Sequence, residues 1–272
     1  MAASVISLLG LLLSGCGFQT GTGSSVASAP QTDSVALQMC QNSQVATTVT
    51  KAAPVGAQQS LYVAASDHLY AVNAGNGAVR WCQQVKLIRQ FRCPSVARGC
   101  PPPVGMRFGT PRVTNGVVYA CASAGSGDTF AFNAGDGSLR WRARTDCWIV
   151  DIPFEDNAVP LVKDGIVYDG TYALRQQDGT VLWRTAIDTQ IEGALSLQAQ
   201  VGDTLYANTE NYVFAINASN GKVRWRYRPD TLMPIGGALV VAGHVLYVGT
   251  LGSVDHPEES RFYALDADTG KL

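Results

Sequence analysis

An eleven-residue stretch recurs through this chain and constrains what it can fold into more than any other feature. It reads AVNAGNGAVRW from Ala71 to Trp81, AFNAGDGSLRW from Ala131 to Trp141, ALRQQDGTVLW from Ala173 to Trp183 and AINASNGKVRW from Ala215 to Trp225. A fifth copy, ALDADTGKL, begins at Ala264 and reaches Leu272. Each complete copy has Ala, a Gly six residues on, and a Trp four beyond that. Repetition at a fixed period dictates a repeat architecture before anything else is inferred.

Each copy reads as a β-hairpin. In the fourth, the β-branched and aromatic run Tyr212-Val213-Phe214-Ala215-Ile216 meets the turn Asn217 to Gly221, and Lys222-Val223-Arg224-Trp225 returns as an alternating strand. A second hairpin precedes every copy. Pro54 leads to Tyr62, Pro111 to Tyr119 and Pro160 to Tyr168, eight residues each time. Leu195-Ser196-Leu197 before Leu205-Tyr206, and Ala238 to Val241 before Val245-Leu246-Tyr247, play the same part. The unit is therefore four short antiparallel strands. Trp141, Trp183 and Trp225 stand 42 residues apart, the length four such strands and their turns fill. Four-stranded units at this period predict an all-β propeller of about five blades, the last lacking its outer strand. Val45 to Thr50, VATTVT, is a candidate to complete it, or an irregular lead-in. No segment holds a helical period for three turns.

The Ala, turn Gly and strand Trp resemble the repeat of the pyrroloquinoline-quinone-like (PQQ-like) propellers over residues 53 to 272. The resemblance implies that each Trp docks on a neighbouring blade near its Gly, which assigns blade docking to Trp81, Trp141, Trp183 and Trp225 with Gly77, Gly137, Gly179 and Gly221. A WD40 repeat fits less well, because Cys or Arg follows each Trp, never Asp.

The start of the chain is of another kind. Ser4 to Leu13 is apolar, too short to span a membrane and suited to a signal-peptide core. Leu13-Ser14-Gly15-Cys16 is similar to the bacterial lipobox, although no Lys or Arg precedes the apolar run. The similarity implies cleavage before Cys16, acylation of its thiol, and a lipid-anchored protein of the bacterial cell envelope facing away from the cytoplasm. Residues 17 to 35 are rich in Gly, Ser, Thr, Ala, Gln and Pro, a composition that cannot order itself. The expected organisation is a signal peptide over 1–15, a lipidated Cys and tether over 16–38, and a propeller over 39–272.

Six cysteines follow Cys16: Cys40, Cys82, Cys93, Cys100, Cys121 and Cys147. An even set in an exported chain favours disulfides over a metal site, for which no Cys-x-x-Cys pair or nearby His speaks. Cys93 with Cys100 is the expected pair, since six intervening residues close a short loop. A net charge of −1 supports no nucleic-acid-binding field.

Three loops carry candidate chemistry. The exit of the second unit holds Asp146, Trp148, Asp151, Glu155 and Asp156, where carboxylates beside a Trp offer Ca²⁺ or a cationic group its ligands at a channel mouth. A solvated acidic loop has the same composition and is the commoner case. Asp255-His256-Pro257-Glu258-Glu259 reads as an exposed insertion, and the basic stretch from Val85 to Arg107 as a loop that could dock an acidic partner.

No catalytic residue is assigned. Quinoprotein dehydrogenases of the PQQ-like family use a quinone with Ca²⁺, an Asp base, often a vicinal Cys pair, and typically more blades. This chain has no Cys-Cys pair and no Asp aligned to the base. The expected function is a non-catalytic platform, without cofactor, for a protein or envelope ligand, held to the membrane lipid through Cys16. The alternative is part of a dehydrogenase oxidising an alcohol or sugar with PQQ and Ca²⁺. A polysaccharide-binding module, suggested by exposed Trp148 and Tyr227, is a third reading.

Overall fold

The computed structural model describes residues 34–40, 59–88, 107–123, 127–147, 159–188, 192–252 and 257–272. These residues form five antiparallel sheets in chain order, the blades of a β-propeller. The first blade contains β1 (Ser34–Met39), β2 (Ser60–Ala65), β3 (His68–Asn73) and β4 (Val79–Ile88). The second contains β5 (Arg107–Phe108), β6 (Arg112–Thr114), β7 (Val117–Ser123), β8 (Gly127–Asn133) and β9 (Leu139–Arg144). The third contains β10 (Leu161–Lys163), β11 (Ile166–Asp169), β12 (Tyr172–Arg175) and β13 (Val181–Arg184). The fourth contains β14 (Ser196–Val201), β15 (Thr204–Asn208), β16 (Val213–Asn217) and β17 (Val223–Tyr227). The fifth contains β18 (Val240–Ala242), β19 (Val245–Gly249) and β20 (Phe262–Asp266). No helix among the described residues is long and apolar enough to cross a membrane.

Local chemistry sets the hairpins. Asn115-Gly116 joins β6 to β7 and Asp164-Gly165 joins β10 to β11, with both residues of each pair at positive φ, the geometry that matches the twist of adjoining strands. The fixed spacing of the signature also has a cause. Ala71 lies opposite Trp81, Ala131 opposite Trp141, Ala173 opposite Trp183 and Ala215 opposite Trp225, and the register slips immediately after each Ala. A small residue leaves room for the facing indole, and the bulge re-aims the strand that carries it.

The core lies between blades. Leu69, Trp81, Phe108 and Phe132 pack the first blade on the second, and Tyr119, Trp141, Val167 and Leu174 the second on the third. Tyr168, Leu205 and Phe214 join the third to the fourth, and Tyr206, Val213, Leu246 and Leu265 the fourth to the fifth. Each blade thus depends on its neighbours, the nearest-neighbour stability of a repeat array.

Two boundaries differ from the sequence reading. Ser34–Met39, assigned largely to the tether, is a strand paired antiparallel to β4 along its whole length. The reason is the length of β4, ten residues, whose outer edge exposes backbone groups that β1 satisfies. Val85 to Ile88, read as the start of the basic insertion, belong to β4, and Arg107, read as its end, opens β5. The fifth blade has three described strands. Val45 to Thr50 lies outside the described residues, and β1 joins the first blade rather than the fifth.

Candidate functional site

The four repeated tryptophans sit on the turns of the following blades. A β-carbon on Gly137 would stand 2.6 Å from the Trp81 ring, one on Gly179 2.7 Å from Trp141, and one on Gly270 2.6 Å from Trp225, while Trp183 covers Gly221 in the same way. These glycines also have φ between 70° and 73°, so both the turn and the ring demand the missing side chain. Each indole N–H donates to a carbonyl of the same turn: Trp81 to Ala134 at 2.9 Å, Trp141 to Gln176 at 3.0 Å, Trp183 to Ala218 at 3.0 Å and Trp225 to Ala267 at 3.1 Å. Tyr62, Tyr119, Tyr168 and Tyr206 lie against the four rings, with centroids 5.8 to 6.2 Å apart. Gly77 holds the equivalent turn of the first blade and is buried. Gly270, not assigned to docking from the sequence, receives the Trp of the fourth blade; its place in the fifth repeat was the available signal.

At the other end of the strands, where the chain passes from the second blade to the third, polar groups gather. Asp146, just past β9, accepts hydrogen bonds from the backbone N–H and hydroxyl of Thr171 in the turn between β11 and β12. Arg184 reaches the same carboxylate at 3.3 Å. Asp146 is therefore a clasp between blades. Beside it Asp169 is buried and accepts a 2.7 Å hydrogen bond from the Thr129 hydroxyl, which in turn meets Thr145 at 3.0 Å. Burial pushes the Asp169 carboxyl up to about 7; the Thr129 hydrogen bond opposes this, and the charge of Asp146 adds to it.

A disulfide joins Cys121 of β7 to Cys147 at this end, and another joins Cys40 to Cys82. Neither pairing was read from the sequence, because the cysteines of each pair lie 26 and 42 residues apart. Cys93 and Cys100 lie outside the described residues. Cys121, Cys147 and Asp169 cluster within metal-binding reach, as do Cys40, His68 and Cys82. In both clusters the sulfurs are bonded to each other, and a disulfide offers no thiolate.

The remaining expected residues are scattered. Cys16, Trp148, Asp151, Glu155, Asp156, Asp255 and His256 lie outside the described residues. Glu258 and Glu259 are in an exposed 3₁₀ turn, Pro257–Glu259. Tyr227, read as exposed, is half-buried and meets Tyr263 edge-on at 6.0 Å, because the turn after β17 brings the fifth blade against it. The Tyr263 hydroxyl donates to Asp230 at 2.7 Å, and burial, with that carboxylate, pushes its pKa up to about 12.

Residues 19–192, 104–228 and 169–272 match the family model described as outer membrane protein assembly factor BamB. The structure of BamB from Moraxella catarrhalis superimposes with a TM-score of 0.53 at 17% identity, covering 78% of this chain and 59% of that one. The serine/threonine-protein kinase AfsK of Streptomyces coelicolor is 31% identical over 170 residues, 60% of this chain. This chain spans only 18% of that kinase's length. A quinohemoprotein alcohol dehydrogenase from Comamonas testosteroni superimposes with a TM-score of 0.41 at 18% identity over 60% of this chain and 33% of its own, too remote to argue from.

Proposed function

Because this chain belongs to the PQQ-like propeller family described as outer membrane protein assembly factor BamB, we propose that it is a non-catalytic binding platform for a protein or an envelope ligand. On this reading it is held to the membrane through acylated Cys16 on the extracytoplasmic side. The observation that carries the proposal is the use made of the carboxylates at the blade junction. Asp146 is committed to Thr171 and Arg184, and Asp169 is buried against Thr129. Groups held this way brace one blade against the next, which supports a structural use of both carboxylates.

The same groups bear on the quinoprotein alternative. Ca²⁺ takes six to eight oxygen ligands. Among the described residues Asp146 already serves a backbone N–H, a hydroxyl and a guanidinium, and Asp169 is buried against Thr129, which supports the reading without a quinone–calcium centre. Calorimetric titration of PQQ with Ca²⁺ into the protein tests the reading. The expected result is no saturable heat. Saturable one-to-one binding would overturn the non-catalytic assignment.

A further inference from the structure

The turn between β12 and β13 breaks the internal repeat. The other four copies begin this turn with Asn or Asp followed by Ala: Asn73-Ala74, Asn133-Ala134, Asn217-Ala218 and Asp266-Ala267. In three of them the first side chain caps its own turn, accepting from the backbone N–H of Gly75 at 2.8 Å, Ser219 at 2.9 Å and Thr269 at 2.8 Å. The third copy reads Arg175-Gln176-Gln177 instead. A guanidinium has no acceptor, so this cap is lost. In its place, long polar side chains line a cleft of about 410 Å³ between the second and third blades, at the opposite end of the strands from Asp146. Asn115, Tyr119 and Arg140 form the facing wall.

Two groups on that wall lack partners that their counterparts in the first or fourth blade have. Arg224, which occupies the position of Arg140 in the fourth copy, pairs with Asp203, whereas Arg140 has no carboxylate partner among the described residues. Tyr62 and Tyr206 donate their hydroxyls to carbonyls of the next blade, Ala134 at 3.0 Å and Ala267 at 3.2 Å. Tyr119 occupies the same repeat position, is fully buried, and its hydroxyl makes no hydrogen bond. Gln176 stands close enough to moderate the burial-raised pKa of this phenol, but not in hydrogen-bonding geometry. A buried hydroxyl without a partner carries a cost that a ligand oxygen would relieve.

Charge narrows the ligand. Arg175 is neutralised by Asp178 at 3.0 Å, which leaves Arg140 as the uncompensated charge on the cleft. One positive charge matches a monoanion, and a planar guanidinium matches a carboxylate through two parallel hydrogen bonds. The cleft has the volume of a small-molecule site, and its amides suit hydroxyl groups. We propose that this cleft binds a small hydroxylated carboxylate of the size of one sugar acid, with Arg140 gripping the carboxylate and the Tyr119 hydroxyl donating to it.

Titration of D-glucuronate into the full chain, beside glucose and inorganic phosphate, tests the assignment. Saturable one-to-one binding of glucuronate is expected, with glucose weaker by about tenfold or more, as loss of one charged contact implies. Arg140→Met should weaken glucuronate by about tenfold and Tyr119→Phe, which keeps the ring on Trp141, severalfold, while Arg224→Met leaves it unchanged. No saturable glucuronate binding would overturn the proposal. So would equal binding of glucose, or equal losses in Arg140→Met and Arg224→Met. Phosphate binding tighter than glucuronate would replace the carboxylate with a phosphoryl ligand and also overturn it.

Discussion

Trp183 of the third blade lies against Gly221 of the fourth and donates its indole N–H to the Ala218 carbonyl at 3.0 Å, so one side chain closes the seam by packing and by hydrogen bonding together. Its ring also meets Tyr168 of its own blade at 5.8 Å. Truncation to Ala would leave a cavity and an unanswered carbonyl. Trp183→Ala should therefore lose about 3–5 kcal/mol. Urea unfolding measures this directly, and a loss near zero would remove the seam from any account of stability.

Gly221 is the other half of that contact. Gly221→Ala places a methyl group on the indole and forces an L residue to φ 71°. It should destabilise by about 1–3 kcal/mol. Gly116→Ala is the control, because its φ is 72° yet nothing lies within 4 Å of the added carbon. The difference between the two urea midpoints isolates the ring contact from the turn strain.

Asp169 makes stability depend on pH. Its carboxyl titrates near 3.8 when unfolded and near 7 when folded. Between those values the folded chain holds a proton that the unfolded chain has released. The stabilisation is complete below the lower value and is lost as pH rises through the upper one. The protein should therefore be less stable at about pH 8 than at about pH 5, by up to a few kcal/mol. Asp169→Asn keeps an acceptor for Thr129 and should flatten that slope in melts across the range. An unchanged slope would show that another group sets it.

The two disulfides should appear in a non-reducing peptide map as Cys40 linked to Cys82 and Cys121 linked to Cys147. Removing the second as Cys121→Ala with Cys147→Ala reopens a loop spanning 26 residues and should cost about 3 kcal/mol. Breaking the first frees β1 from its clamp beside β4. Hydrogen exchange of residues 34–39 should then quicken while that of β15 stays slow.

The proposed lipid anchor rests on Leu13-Ser14-Gly15-Cys16 alone. Cys16→Ser should move the protein from the membrane fraction to the soluble one. Continued sedimentation with membranes would exclude acylation of this thiol as the anchor.

Legibility differed between strands and site. The hairpins were plain because their determinants are local: the Asn115-Gly116 turn and the Ala173 to Trp183 spacing lie within a few residues of the strands they shape. Strand β1 was not, since Ser34 to Met39 has no repeat partner in sequence, and its place depends on the free edge of β4. At the junction, Asp146 was singled out as an acidic ligand, but its partners Thr171 and Arg184 lie 25 and 38 residues away. Asp169 drew no notice because its unusual chemistry comes from burial, which a single strand does not encode.

The blade is written into the chain locally. Alternation, turn glycines and the Ala-Gly-Trp spacing specify a four-stranded unit and its repetition, because strand pairing within a hairpin depends on neighbours in the chain. The tertiary structure alone decided what lies between blades. Stacking chose which cysteines meet, turned Asp146 into a clasp, buried Asp169, and set Arg140 across a cleft from Gln176. Those outcomes depend on the distance and dielectric between residues from different repeats, quantities that exist only once the sheets have packed.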